Sequence, residues 1–249
     1  MKHYFIPDTQ IKPGVPTEQL EWVGHDILAR RPDKVIHIGD HWDFPSLSSY
    51  DKGKVSMEGR RLKEDLEVAN DAFRLITEPT RRHNARCKPE NRYEPEWHLT
   101  LGNHENRLLR AAESDPALAD TLTLDLLDTE GWQVHGFLVP VSLDGVIYSH
   151  YFYNPMTGRP YGGQVATRLR TIGHSFSQGH QQTLDYALRF VGGKAHHGLV
   201  AGAFYQHDEE YKGPQGNSHW RGVIVKHEVE DGHYDPMFLS LDYLRREYS

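Results

Sequence analysis

The sequence has a single cysteine, Cys87, in 249 residues. It can therefore form neither an intramolecular disulfide nor a thiolate-walled metal cluster, and any metal must be held by His, Asp, Glu, Asn or Gln. Long apolar runs are missing too. Nothing approaches the roughly 20 consecutive apolar residues that cross a bilayer, and the amino terminus meets Asp8 after only a few apolar residues, too few for a signal-peptide core. Both absences predict a soluble, cytoplasmic chain with no membrane partner. Positive charge is in deficit: 28 Lys and Arg face 35 Asp and Glu, a formal net charge of -7. That balance disfavours broad adhesion to polyanions without excluding nucleic acid as a substrate.

What is present suffices for a packed core. Hydrophobic residues make up 37%, aromatic residues 11% and charged residues 25%, a globular composition. No linker-like composition, repeat or low-complexity tract divides the chain, which predicts one domain over 1–249. Histidine is abundant, with 17 copies, and imidazole is both the commonest metal ligand and the side chain that titrates nearest neutrality.

Periodicity predicts an α/β first half. His3 to Ile6 reads as a strand stopped by Pro7 and Asp8. A helix opens at Pro16 and Thr17 with Leu20, Val23 and Ile27 on one face, and Lys34 to Ile38 reads as a second strand parallel to the first. Leu62, Leu66, Ala69, Phe73 and Ile76 recur at steps of three and four, as on a core-facing helix. Thr80 to Pro95, rich in Arg, Asn and Pro, reads as a loop that also contains Cys87. Trp97 to Leu101 follows as a third strand, and Glu105 to Ala112 as a helix.

The second half reads as mostly β. Val146 to Ser149, Ser175 to Gln178, Leu184 to Val191 and Leu199 to Phe204 are strand-like, and Gly192-Gly193 and Asp231-Gly232 sit where hairpin turns would. Two sheets sharing one core, with helices outside, would give a layered αββα arrangement.

In open α/β sheets, functional groups gather beyond the carboxyl ends of strands. The residues found there are Asp8-Thr9-Gln10, Gly39-Asp40-His41-Trp42-Asp43, Gly102-Asn103-His104-Glu105, Ser149-His150 and Gly179-His180-Gln181-Gln182. Taken singly, each is a common structural feature: a turn, a helix cap or a buried histidine. Five such ends carrying hard oxygen or imidazole ligands at one sheet edge point to a shared site.

In this order, Asp-x-Gln, Gly-Asp-x-x-Asp, Gly-Asn-His-Glu, a strand-terminal His and Gly-His-x-Gln resemble the signature of the calcineurin-like metallophosphoesterases, over Asp8 to Gln182. The Gly102 to Arg107 stretch, Tyr205-Gln206-His207-Asp208 and Gly213-Pro214-Gln215-Gly216-Asn217 look most like bacteriophage-encoded members, which would place the chain in a host cytoplasm. The resemblance implies a four-layer αββα sandwich of two packed mixed sheets flanked by helices. It also implies two divalent ions, Mn most readily, with Mg, Zn, Fe or Ni as other occupants.

Asp40 would bridge the ions, Asn103, His150 and His180 would complete one site, and Asp8 would belong to the other. Gln10 and Gln182 stand where the family usually has histidines. That departure predicts a second site that is all-oxygen and weaker. The implied activity is hydrolysis of phosphate esters by a water that the paired ions acidify. His104 would be the acid that meets the leaving oxygen, oriented by Asp43.

Arg107 would reach a phosphate oxygen or lie at the surface, and His41 would line the substrate pocket, with Trp42 packing. Glu105 reads as a support or a helix-start charge. His207 reads as ligand support or surface, beside a solvated acidic run of Asp208, Glu209 and Glu210. The protein-phosphatase branch is disfavoured, because Phe44-Pro45 follows Asp43 and Leu101 precedes Gly102.

The substrate expected is nucleotide or DNA-type. A nuclease is the alternative, favoured by Arg81, Arg82, Arg86, Lys88 and Arg92 with Tyr93 and Trp97 for base stacking. A metal-binding module without catalysis is a further alternative.

Overall fold

The computed structural model describes residues 1–209 and 212–249. Its order is β1 (His3–Ile6), α1 (Glu18–Arg30), β2 (Lys34–His37), α2 (Leu62–Ala85), β3 (Glu96–Thr100), α3 (Asn106–Ser114), β4 (Gln133–His135), β5 (Val141–Leu143) and β6 (Val146–Tyr148). Then follow α4 (Val165–Ile172), β7 (Phe176–Gln178), β8 (Leu184–Val191), β9 (Lys194–Ala201), α5 (Gly213–Asn217), β10 (Gly222–Glu230), β11 (His233–Ser240) and α6 (Leu241–Tyr248).

The strands form two mixed sheets. One runs β11-β10-β1-β2-β3-β4, with β1 to β4 parallel and β10 and β11 antiparallel. The other runs β5-β6-β7-β9-β8, parallel in its centre and antiparallel at both edges.

Alternation along the strands decides which residues enter which layer. On β1, Tyr4 and Ile6 face the helices and pack with Leu20, Val23 and Ile27 of α1 and with Ala69, Phe73 and Ile76 of α2. Phe5 faces the other way and joins Ile36, Val146, Tyr148, Leu199 and Ile224 in a core between the sheets. Leu241 and Leu244 of α6 extend the first layer. On the far face of the second sheet, Val165 and Leu169 of α4 pack on Phe176 and Val200. Helix, sheet, sheet, helix is thus the order of layers, compatible with the expected sandwich.

The strand–helix–strand unit forms as expected, with His3 opposite Lys34 and Phe5 opposite Ile36 in parallel register. Both hairpins form at the anticipated dipeptides, and all four turn residues have positive φ: 58° and 81° at Gly192 and Gly193, 49° and 83° at Asp231 and Gly232. Two positive φ values suit the twist of the flanking strands.

The segment 80–85 departs from expectation, because α2 continues through Pro79 to Ala85. Its arginines hide the apolar period, and pairs such as Arg82 Nε to Glu78 Oε1 at 2.8 Å support the exposed face instead. The strand expected over Leu199 to Phe204 is Lys194–Ala201, ended by Gly202 with φ 77°. Short elements that offer little periodicity, β4, β5, α4 and α6, were not expected. Among the described residues no helix is long and apolar enough to cross a membrane.

Candidate metal centre

The loops after β1, β2, β3, β6 and β7 meet at the carboxyl edge of both sheets, and backbone pairing locks them together. The Gln10 N–H donates to the Asp40 carbonyl at 2.9 Å, the Ile11 N–H to His41 at 2.7 Å, and the Gly179 N–H to His150 at 3.1 Å. Gln10, Asp40, Phe44, His180 and Gln182 all take left-handed backbone conformations, with φ from 42° to 67°. Two glycines make the approach possible. A Cβ on Gly102 would lie 2.1 Å from Asp40 Oδ1, and one on Gly179 would lie 2.2 Å from Asp8 Oδ1.

Asp40, His150 and His180 each bring one ligand atom within 4.8 Å of the others, and among the described residues they are the only such group of three. Asn103 Oδ1 joins them, 2.7 Å from His180 Nδ1 and 3.1 Å from His150 Nε2. His150 Nδ1 donates to the Ile38 carbonyl at 2.8 Å, which turns Nε2 toward Asp40 Oδ2 at 3.2 Å. A backbone acceptor of this kind fixes the tautomer of a ligating histidine.

Charge in the cluster is dense and buried. Burial would lower the His150 pKa, but Asp40 and then Asp8 outweigh it and push the imidazole up to about 10. His180 is lowered to about 4, by burial first and by His150 second. Burial also works to raise Asp40, yet His104 and His150 hold its carboxyl below the ordinary range. Asp8, accepting the His180 N–H at 3.1 Å, is raised to about 7 by burial. Proton and metal compete for the same His150 nitrogen, so a dication would take the proton's place.

The residues present fit a divalent ion: one carboxylate, two imidazoles and an amide oxygen converge. Nearby, Gln10 Oε1 is a buried acceptor to which no described residue donates, and a water or an ion is a usual partner of such an atom. A dication is thus within the chemistry of this cluster.

Beside it, His104 Nδ1 lies 2.6 Å from Asp43 Oδ1, while Nε2 lies 3.8 Å from Asp40 Oδ2. Burial would lower this imidazole's pKa, but Asp40 and Asp43 outweigh it and leave it raised. Arg107 reaches the Asp43 carbonyl at 2.6 Å and His104 Nε2 at 3.2 Å, so its fork is committed to this loop. Glu105, fully buried, accepts four backbone N–H groups: His41 at 2.6 Å and Trp42 at 3.1 Å on Oε1, Gly102 at 2.7 Å and Asp40 at 3.0 Å on Oε2. One carboxylate therefore staples the Gly-Asp turn to the Gly-Asn turn.

Other expectations need correction. His41 does not line a pocket: it is fully buried, with Nδ1 2.7 Å from Thr9 Oγ1 and Nε2 2.9 Å from the Ala69 carbonyl, and burial lowers it to about 3. Tyr93 and Trp97 are no stacking platform. Tyr93 is buried and donates to the Pro32 carbonyl at 2.7 Å, and the Trp97 ring packs 5.0 Å from Trp132. Arg31 Nη2 meets His83 Nε2 at 3.1 Å and the Glu96 N–H bonds Asp33. The basic segment therefore lies at the amino ends of β2 and β3, away from the metal cluster.

Glu209 is not solvated. It is buried, holds Lys12 Nζ at 2.7 Å and His207 Nε2 at 2.8 Å, and Lys12 in turn reaches Asp43 Oδ2 at 3.2 Å. Glu210 lies outside the described residues. Trp42 packs as expected, fully buried with Nε1 on Asn70 Oδ1 at 2.8 Å.

Lys12, Glu209, Tyr205 and Lys212 were not anticipated. Lys12 could have been suspected from its place two residues after Gln10 and Tyr205 from the Tyr205-Gln206-His207-Asp208 stretch, whereas Glu209 and Lys212 carry no local signal. A surface cavity of about 690 Å³, lined by Asn70, Leu101 and residues of the 124–130 loop, shares no residue with the cluster.

No family model matches the chain. Two phage proteins are similar to it. The Gene 54 protein of Mycobacterium phage D29 is 43% identical over 68 residues, which are 27% of this chain and 26% of that protein. The Gene 54 protein of Mycobacterium phage L5 is 33% identical over 134 residues, 52% of this chain and 48% of that protein. The match thus spans about a quarter and about half the length of these curated relatives, and both support the bacteriophage side of the resemblance.

Proposed function

We propose that the chain is a metal-dependent phosphoric ester hydrolase of the calcineurin-like metallophosphoesterase type, acting on nucleotide or DNA-type esters. Asp40, Asn103, His150 and His180 would hold a divalent ion, and Mn²⁺ suits their mixture of carboxylate, amide oxygen and imidazole. Such an ion, when bound, neutralises phosphate charge and brings the pKa of a water toward neutrality.

The observation that carries the reading is the His104–Asp43 pair at 2.6 Å, set 3.8 Å from Asp40. Storing an ion requires no such pair; meeting a departing alkoxide does. Asp43 Oδ1 accepts from Nδ1–H and keeps the imidazole oriented with Nε2 toward the cluster; Nε2, which accepts from Arg107 at 3.2 Å at rest, would deliver a proton to the leaving oxygen once protonated and released from that contact. Arg107 and Lys12 hold Asp43 from two sides, at 3.6 Å from Oδ1 and 3.2 Å from Oδ2, which keeps its carboxyl ionised.

Placement of the basic segment at the opposite end of β2 and β3 favours a small ester or a strand end over a long duplex. The test is hydrolysis of activated aryl phosphate monoesters and diesters, mononucleotides, and single- and double-stranded DNA, with Mn²⁺, Mg²⁺ and Zn²⁺ in turn. Turnover that vanishes in His104→Asn while Mn²⁺ binding persists is the expected result. No turnover of any substrate with any of the three ions refutes the proposal and leaves a metal-binding module.

A further inference from the structure

The site contains a cation of the chain's own. Lys212, immediately before α5, places its Nζ on Gln182 Oε1 and 3.0 Å from Tyr205 Oη, and Tyr205 Oη itself donates to Gln182 Oε1 at 2.9 Å. Gln182 follows His180 in the loop after β7, and the His180 N–H is bonded to the Asp8 carboxylate. Burial lowers the Lys212 pKa, and Asp8 is the largest electrostatic influence opposing it, followed by Glu209.

Donor chemistry separates the two halves of the site. Asp40 and Asn103 bring oxygens and His150 and His180 ring nitrogens to one point, and a dication that displaces the His150 proton can use all four. Gln182 differs: an amide oxygen has two lone pairs, and here Tyr205 and Lys212 supply a donor for each. An ammonium brings three N–H donors and no lone pair, so it suits a lining of carboxylate and amide oxygens.

Resting on the metal-centre reading above, we propose that the Lys212 ammonium occupies the second cation position, on Gln182 in the loop whose His180 N–H holds Asp8. The chain then binds one divalent ion, at Asp40, Asn103, His150 and His180. An anionic phosphate would meet that ion on one side and a fixed monovalent charge on the other.

The test counts metal. Metal-stripped full-length protein is dialysed against millimolar Mn²⁺, bound manganese is quantified per chain, and electron paramagnetic resonance reports whether neighbouring ions couple. One ion per wild-type chain with an uncoupled six-line spectrum is expected. Lys212→Met is expected to raise the count from one to two with a spin-coupled signal, and Lys212→Arg to stay at one. Two ions in the wild type overturn the proposal, and so does a count of one in folded Lys212→Met. A wild-type chain that binds no manganese, or an ion that survives His150→Ala with His180→Ala, overturns the metal centre itself and the proposal with it.

Discussion

Glu105 is the perturbation whose consequences are most closely defined by geometry. Its carboxylate is fully buried and divides four backbone N–H groups evenly, two on each oxygen. Glu105→Gln keeps the volume but turns one oxygen into an NH₂, which faces two donors whichever way the amide is flipped. Hydrogen bonds to a charged acceptor contribute about 1.5–3 kcal/mol each, so losing two costs about 3–6 kcal/mol. For a chain of this size that is a fall in melting temperature of roughly 6–24 °C. In one flip the donors set free are those of Gly102 and Asp40, in the other those of His41 and Trp42, so in either case the turn carrying Asp40 at φ 50° loses half of its staple. Manganese affinity should drop about 10–100-fold, the usual effect of losing support behind a ligand. Calorimetric melts of the metal-free protein and manganese titrations measure the two effects separately. A variant melting within about 3 °C of wild type, with unchanged manganese affinity, refutes the assignment of Glu105 as the staple.

Asp43→Asn should lower kcat by about 10²–10⁴-fold, the range of general acid–base contributions, while bound manganese stays the same; parallel loss of metal would refute a role confined to His104. Acid stability should report His3, whose pKa burial lowers to about 4 despite its contact with Asp144 at 2.8 Å. Its stability contribution is complete above the unfolded pKa of 6.5 and declines as pH falls toward 4, because only the unfolded chain takes up the proton. Between pH 6.5 and 5 the loss is about 2 kcal/mol at 1.36 kcal/mol per pH unit, and stability–pH curves of His3→Gln and wild type that run parallel would refute it. Hydrolysis of a mononucleotide should change little between low and moderate salt, since Arg81, Arg86 and Lys88 lie at the far end of β2 and β3; a steep logarithmic dependence would instead indicate several phosphate contacts.

Much of the site was legible because strand ends announce themselves. Gly39-Asp40 and Gly102-Asn103 each interrupt an apolar run with a turn former and a hard ligand, and such residues have nowhere to go but the carboxyl edge of the sheet. His150 and His180 were legible for the same reason. Their meeting with Asp40 was not, since it depends on how the second sheet packs on the first through Phe5, Ile36, Tyr148 and Leu199. His41 misled because a histidine in a ligand loop reads as accessible, whereas the left-handed turn at Asp40 directs the ring inward against Phe73, 4.8 Å away. The basic stretch misled in the opposite way: a helix that runs back along the sheet carries its last turn to the far edge. Glu209 and Lys212 were invisible, because a charge in an acidic or glycine-rich loop becomes part of a site only when tertiary contact brings it to Lys12 or Gln182.

Left-handed backbone at Gln10, Asp40, Phe44, His180 and Gln182 implies that the fold holds this edge in a conformation its own residues disfavour. Such positions cost about 1–3 kcal/mol each and survive because the surroundings over-determine them; here the cross-loop bonds from Gln10 to Asp40 and from Ile11 to His41 do so. Gln10 is the sharpest case, for it combines φ 42° with a buried oxygen that has no donor among the described residues. Gln10→Gly would relieve the backbone and remove an orphaned acceptor that costs about 1–3 kcal/mol. Against that stand about 1.6 kcal/mol for two buried methylenes and about 0.4–1 kcal/mol of added chain entropy. The terms run from about −1 to about +4 kcal/mol and centre on a gain of about 2 kcal/mol in the metal-free protein, a rise in melting temperature of roughly 4–8 °C. A stabilised Gln10→Gly would mean that the residue is kept for what it does at the cation site and at a cost to the fold; a destabilised one would mean that Gln10 belongs to the packing and that its oxygen is satisfied in solution.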